Sequence, residues 1–252
     1  MILSPDKYLK NYRRFATLNR MNHLHAKHVM DENAVHSAKL LHAKIYLHNR
    51  YISTSDLDER GVMHKMADPY QEHSDYFTVH DSRDKESKVM ATARLIKAHP
   101  AHGHNSFPTI KNLSLYPDSE KFIRSIDPSK CIEVSALAKD FGVSSHAVMI
   151  LYRALWHHSL RKDHSLWLMA CDVRAYRGLK FIFGDALTRT GDNAFYMGSE
   201  VVPAMLEIRS TLNPIMRDAK SLNPFKRFMK RELVKFLMSG MPKVPEGSSA
   251  TK

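Results

Sequence analysis

The run Cys131–Lys139 (CIEVSALAK) limits the fold most tightly, because it reads as a strand that buries a carboxylate. Alternation places Ile132, Val134, Ala136 and Ala138 on one face and Glu133, Ser135 and Leu137 on the other. An ionised glutamate is costly inside a sheet. Glu133 therefore needs a cation partner or a raised pKa suited to proton transfer. The alternative is an edge strand with Glu133 in water, and spacing alone leaves both open.

Residues 140–145 (DFGVSS) read as a short turn with helix-starting chemistry, with Ser144 or Ser145 as the N-cap. Ala147, Leu151, Ala154, Leu155 and His158 then recur at helical spacing, predicting an amphipathic helix over residues 145–162. A second apolar strand follows over residues 166–171. Strand, turn, helix, strand is a β-α-β crossover, and its turn offers backbone N–H groups at a helix N-terminus to a phosphate or an oxyanion.

The rest of the chain supplies a frame for this unit. Ala34, Ala38, Leu41 and Ile45 mark a helix near residues 33–48, and the polar stretch 53–75 reads as a long loop. Residues 76–80 and 88–97 read as a hairpin around the charged turn 81–86. A short helix near 117–126, a helix over 176–183 and a closing strand pair at 186–190 and 200–206 complete a mixed sheet with helices on both faces. Three divisions follow: an N-terminal helical extension over residues 1–32, a main domain over 33–210, and a basic amphipathic helix with a disordered tail over 211–252.

Lys and Arg number 38 against 26 Asp and Glu, a formal charge of +12. Such a surface favours an anionic partner: nucleic acid, an anionic membrane or an acidic protein. Cys131 and Cys171 both fall in predicted core strands and read as small buried hydrophobes of a reducing compartment. The opening residues lack a signal-peptide pattern, and no apolar run approaches the ~20 residues that span a bilayer. The expected location is cytoplasmic, with peripheral contact at the inner membrane face. The sixteen histidines include a local cluster, His99, His102 and His104, but there is no His-Glu-x-x-His motif or paired cysteines at zinc spacing. A solvated His-rich loop is the expectation, with no metal.

Three segments resemble one family. Residues 36–51 (HSAKLLHAKIYLHNRY), 89–96 (VMATARLI) and 132–138 (IEVSALA) are similar to the first helix, third strand and fourth strand of GNAT-fold acyltransferases. The similarity is to the branch holding N-acyl amino acid synthases and acyl-homoserine-lactone synthases, and it spans roughly residues 33–206. It implies a mixed, mostly antiparallel α/β (α+β) sheet. The implied function is an N-acyltransferase moving a fatty acyl chain from a thioester directly to a small amine such as an amino acid. Ala136 stands where that branch often has an Arg, so any role of that Arg is absent or moved to Arg94. The loop that grips coenzyme A pyrophosphate is missing, since residues 140–145 hold one glycine. That departure favours acyl carrier protein over acyl-CoA as donor, with no permanently bound cofactor.

On this reading Glu133 is the base that takes the proton of the amine. Backbone N–H groups at Leu137, Ala138 and Lys139 are the expected oxyanion site, with Ser135 beside the substrate. Arg94 either grips a substrate carboxylate or forms a structural ion pair, with Glu133 itself as one partner. Trp167, Met169, Phe181 and Phe183 line an acyl tunnel or are plain core. Lys139, Arg153, Arg161 and Lys162 are expected contacts for an acidic carrier. The segment from Arg217 to Lys235 forms a basic amphipathic helix over residues 224–239, lying on an anionic membrane or packing its apolar face on the domain. Within the implied fold the alternatives are an acyl-homoserine-lactone synthase or a lipid-precursor acyltransferase, and a non-catalytic nucleic-acid-binding protein is the competing class. It explains the charge but leaves Glu133 idle.

Overall fold

The computed structural model describes residues 22–218, 220 and 224–241. A mixed sheet runs through it in the order β1 (Leu24–Val29), β2 (Ser74–Asp81), β3 (Ala91–Lys97), β4 (Cys131–Lys139), β5 (Leu166–Asp172), β8 (Ser199–Glu207) and β6 (Leu187–Arg189), with β7 (Ala194–Tyr196) also on β8. Every pairing is antiparallel except β4 with β5. Helix α1 (Glu32–His48) covers one face. Its Leu41 and Ile45 pack on Ala138 of β4.

Helices α2 (Pro108–Asn112) and α3 (Pro117–Ser125) connect β3 to β4, and each starts with Pro at its first turn. A smaller core of Phe107, Ile123, Cys131, Leu166 and Leu168 holds this connection to the sheet. The parallel pair is the predicted crossover, joined by α4 (His146–Arg161). Helix α4 covers the other face, where Ala147, Leu151 and Leu155 meet Ile132, Val134, Trp167 and Met169 in the main core. Both cysteines are buried and unpaired.

Several expectations need correction. Residues 24–29 are an edge strand, not part of a helical extension; Leu24 and Ala26 alternate with His25 and Lys27, and Leu24 points into the main core. Residues 1–21 lie outside the described residues, so the helix expected there is not described. The polar segment 53–73 packs closely, with Val62, Met63 and Asp68 buried. Strand β7 has no counterpart in the sequence reading.

Strand β4 breaks its own alternation. Arg94 of β3 lies opposite Ser135, whereas Thr92 lies opposite Ala138, so two β4 residues face the single Ala93. This is a β-bulge, and Ala136 adopts φ 52° within it. Beyond the bulge the faces exchange. Leu137 packs on the main core with Ile132 and Val134, while Ala138 joins the α1 face with Glu133 and Ser135.

At the C-terminal end, α5 (Val173–Phe183) follows β5, and α6 (Leu212–Asp218) leads to α7 (Pro224–Met238). Met229, Leu233, Phe236 and Leu237 of α7 are buried in the same core as Trp167. The ring of Phe236 lies 4.4 Å from the Arg153 guanidinium, and the His157 imidazole contacts the Leu237 carbonyl at 2.6 Å. Thus α7 closes the domain core and is no separate appendage. Residues 242–252, including the expected disordered tail, lie outside the described residues. No helix among the described residues is long and apolar enough to cross a membrane.

Candidate active site

The parallel ladder between β4 and β5 is short. It pairs Cys131 to Glu133 with Leu166 to Leu168 and then stops, so the two strands diverge from Glu133 onward. A cavity of about 450 Å³ occupies the gap. That volume falls in the ~300–1,000 Å³ range of small-molecule sites. Its walls come from both faces of the sheet: His42, Tyr46, Arg94 and Glu133 from the α1 side, Tyr152, Met169 and Cys171 from the α4 side. The opening therefore passes through the sheet, polar at one end and largely apolar at the other.

Glu133 sits at the fork, 2 % exposed. Burial lifts its carboxyl pKa to about 7, against the pull of two hydrogen bonds from Thr109 and the charge of Arg94. The Thr109 backbone N–H donates to Oε2 at 3.0 Å and its hydroxyl to Oε1 at 2.9 Å. A carboxyl poised near neutrality, at a cavity wall, can accept a proton at physiological pH. Thr109 escaped the sequence reading because α2 is a five-residue helix with no periodicity to detect.

Arg94 lines the cavity too, but its ion-pair partner is Asp68, not Glu133. Arg94 Nη1 lies 2.6 Å from Asp68 Oδ2, both side chains being 5 % exposed. Burial works against the guanidinium charge, but Asp68 and the Tyr76 hydroxyl hold its pKa above the ordinary value. One edge of the group is left over, because Nε is buried without a hydrogen-bond partner. Nε2 of His42, a residue not singled out in the sequence, is orphaned likewise. Burial, then the charge of Arg94, depress the His42 pKa to about 3, so its ring is neutral. Both residues line the cavity, so two buried polar atoms lie within its wall without hydrogen-bond partners. Asn112 and Tyr196 complete this wall, the Asn112 amide donating to the Tyr196 hydroxyl at 3.2 Å.

The other expected residues separate. Ser135, Leu137 and Met169 line the cavity. Ala138 does not; the bulge turns it under α1. Trp167 is core, fully buried, with its indole N–H donating to Ser159 Oγ at 2.8 Å. Phe183 is also core, and the side chain of Phe181 lies outside the described residues. Cys171 lines the cavity, but burial pushes its thiol up to about 12, which removes it as a nucleophile at neutral pH.

The four cations expected at a carrier surface do not form one patch. Lys139 Nζ donates to the carbonyls of Asp140 and Val143 in the turn before α4. Arg153 is engaged at the C-terminal end of α7, where it stacks on Phe236 and donates to the Ser239 hydroxyl at 2.7 Å. Arg161 and Lys162 are exposed at the far end of α4. At 1.5 Å per residue that helix is about 24 Å long, so they stand at the opposite end of the crossover from Lys139. His99 and His102 stack on one another, whereas His104 turns toward Cys131. Among the described residues no group of three His, Cys, Asp or Glu side chains comes together as a metal site.

The chain matches solved structures over about three quarters of its length. FeeM, an N-acyl amino acid synthase from uncultured soil microbes, superposes with a TM-score of 0.57 at 13% identity, covering 75% of this chain and 93% of FeeM. The acyl-homoserine-lactone synthase LasI gives 0.52 at 15% identity, over 73% of this chain and 88% of LasI. BjaI, a CoA-dependent acyl-homoserine-lactone synthase, also gives 0.52, at 16% identity over 76% and 86%.

The fold is that of these synthases.

It is the GNAT-like architecture that residues 36–51, 89–96 and 132–138 resemble. No family model matches the sequence, and no curated protein matches it. The likeness lies in the fold, not in residue identity.

Proposed function

We propose that this protein is an N-acyltransferase that moves an acyl chain from a carrier-protein thioester to the amine of an amino acid. One observation carries the reading: Glu133, with its pKa near 7, stands where β4 leaves β5 at a cavity that crosses the sheet. The synthase fold supports the same class of chemistry and weighs against a nucleic-acid-binding role.

In the proposed step the acceptor amine occupies the α1 side and the thioester the fork. Glu133 removes a proton from the amine as nitrogen attacks the thioester carbon. Backbone N–H groups along β4, past the end of its ladder with β5, hold the developing oxyanion. The C–S bond then breaks, the amide forms, and the thiolate leaves to take up a proton. The acyl tail lies toward Leu137, Tyr152 and Met169. A carboxylate on the acceptor would accept from the orphaned Arg94 Nε–H and from His42 in its Nε2–H tautomer. This gives the two buried atoms the partners they lack and favours an amino acid over a plain amine. The single glycine of residues 140–145, Gly142, favours a carrier donor, because carrier-borne pantetheine has no adenosine pyrophosphate to grip.

The test is transfer by the full-length protein from acyl carrier protein or acyl-CoA to a panel of amino acids and their methyl esters, read by mass spectrometry. An N-acyl amino acid formed faster from the free acid than from the ester is the expected product. No amide with any donor would sink the proposal.

A further inference from the structure

A second cavity, about 700 Å³, backs onto the first, with Pro69 and Tyr70 lining both. Helix α2 is shared as well: Asn112 faces the first cavity, Ile110 and Lys111 the second. Three lysines line the second cavity, Lys65, Lys97 and Lys111, with Glu72 its single acidic wall residue. Lys65 pairs with Glu72 at 2.8 Å and Lys97 with Asp75 at 2.9 Å, while Lys111 has no ion partner among the described residues. Three imidazoles join them. His73 meets His99 edge-on at 4.5 Å between ring centres, and His99 meets His102 at 4.8 Å. Nδ1 of His99 accepts from the Ala101 N–H at 3.1 Å, which makes Nε2 the proton-bearing nitrogen of the neutral ring.

We propose that this basin binds the phosphate of a small phosphorylated molecule. Three lysines and three histidines line a wall with net positive charge, and none of the lining residues is an arginine. A carboxylate is best matched by a planar guanidinium fork, whereas a tetrahedral dianion suits several point donors. Two sources share this chemistry: a phosphate carried by the acyl acceptor itself, or a separate phosphorylated metabolite. The first source rests on the acyltransferase reading; phosphate binding does not.

The experiment is a titration of the full-length protein with inorganic phosphate at constant ionic strength, following the histidine ring signals by NMR. Saturable shifts at His73, His99 and His102 are expected, with about tenfold weaker binding in Lys111→Ala, the size of one lost charge-assisted hydrogen bond. Lys121→Ala, an exposed lysine on α3 outside the basin, should bind as the parent does. Shifts that chloride reproduces, that never saturate, or that Lys111→Ala leaves unchanged would overturn the site. The source is then read by acyl transfer to O-phosphoserine and to serine, both of which keep the amino-acid carboxylate. A preference for O-phosphoserine that Lys111→Ala abolishes assigns the phosphate to the acceptor, and equal use of the two assigns it to a separate ligand. Absence of transfer to either, or to any other amino acid, would count against the acyltransferase reading and leave the titration standing.

Discussion

Thr109 holds both oxygens of Glu133, one through its backbone N–H at 3.0 Å and the other through its hydroxyl at 2.9 Å. Two donors from one residue fix the plane of the carboxyl group and still leave lone pairs for a substrate proton. They also limit how far burial can raise the pKa, which is why it stops near neutrality.

Glu133→Gln is expected to lower acyl transfer at least ~100-fold, the low end for a positioned base. The protein should remain folded, since the amide is nearly isosteric and can still accept from Thr109. Single-turnover rates on purified protein decide the matter; wild-type rates would remove Glu133 as the base.

Activity should rise with pH through about 7 as Glu133 loses its proton. Thr109→Val removes the hydroxyl donor that favours the charged form, so the rising limb should move to higher pH by about one unit. Thr109→Ser should restore it. Stability has the opposite sign. The folded pKa lies above the ordinary 4.5, so the contribution from Glu133 is complete below that pH and is lost as pH rises through about 7. Denaturant melts between pH 5 and 8 should show this slope, worth up to ~3 kcal/mol, flattened in Glu133→Gln.

Asp68→Ala should destabilise the fold by about 3–5 kcal/mol, because it strands the Arg94 charge in the interior. Asp68→Asn keeps an acceptor and should cost less. Urea denaturation of the two variants separates a buried pair from a surface one, for which both losses would stay under ~1 kcal/mol.

Truncation at Leu212 should abolish cooperative thermal unfolding. It removes Met229, Leu233, Phe236 and Leu237 from the main core. Leu233→Ala alone should cost about 2–5 kcal/mol. A truncated protein that melts like the parent would show that α7 is dispensable to the core.

Donor choice gives a separate check. The carrier-protein thioester should exceed the matching acyl-CoA in kcat/KM, and its advantage should shrink with added salt as charge attraction is screened. Equal use of the two, indifferent to salt, would remove the carrier from the proposal.

The sequence exposed the crossover and its carboxylate because both are written in local periodicity. Alternation around Glu133 and helical spacing from Ala147 to His158 need no distant partner to be read. What it hid depends on contacts far along the chain. Asp68 reaches Arg94 across 26 positions from an irregular segment, and Thr109 reaches Glu133 across 24. The bulge was hidden for another reason. Its positive-φ residue is Ala136, where the usual glycine would have given warning. Strand β1 was masked by its histidines and lysine, which read as a continuation of a basic helix.

The bulge makes β4 tolerant of losing one residue at this point. With a single residue from positions 136–137 opposite Ala93, Ser135 would still face Arg94 and Ala138 would still face Thr92 under α1. What disappears is the extra residue and the local bend it gives the strand. Variation among relatives of this chain should therefore include strands one residue shorter at 136–137, and glycine in place of Ala136, which takes φ 52° without strain.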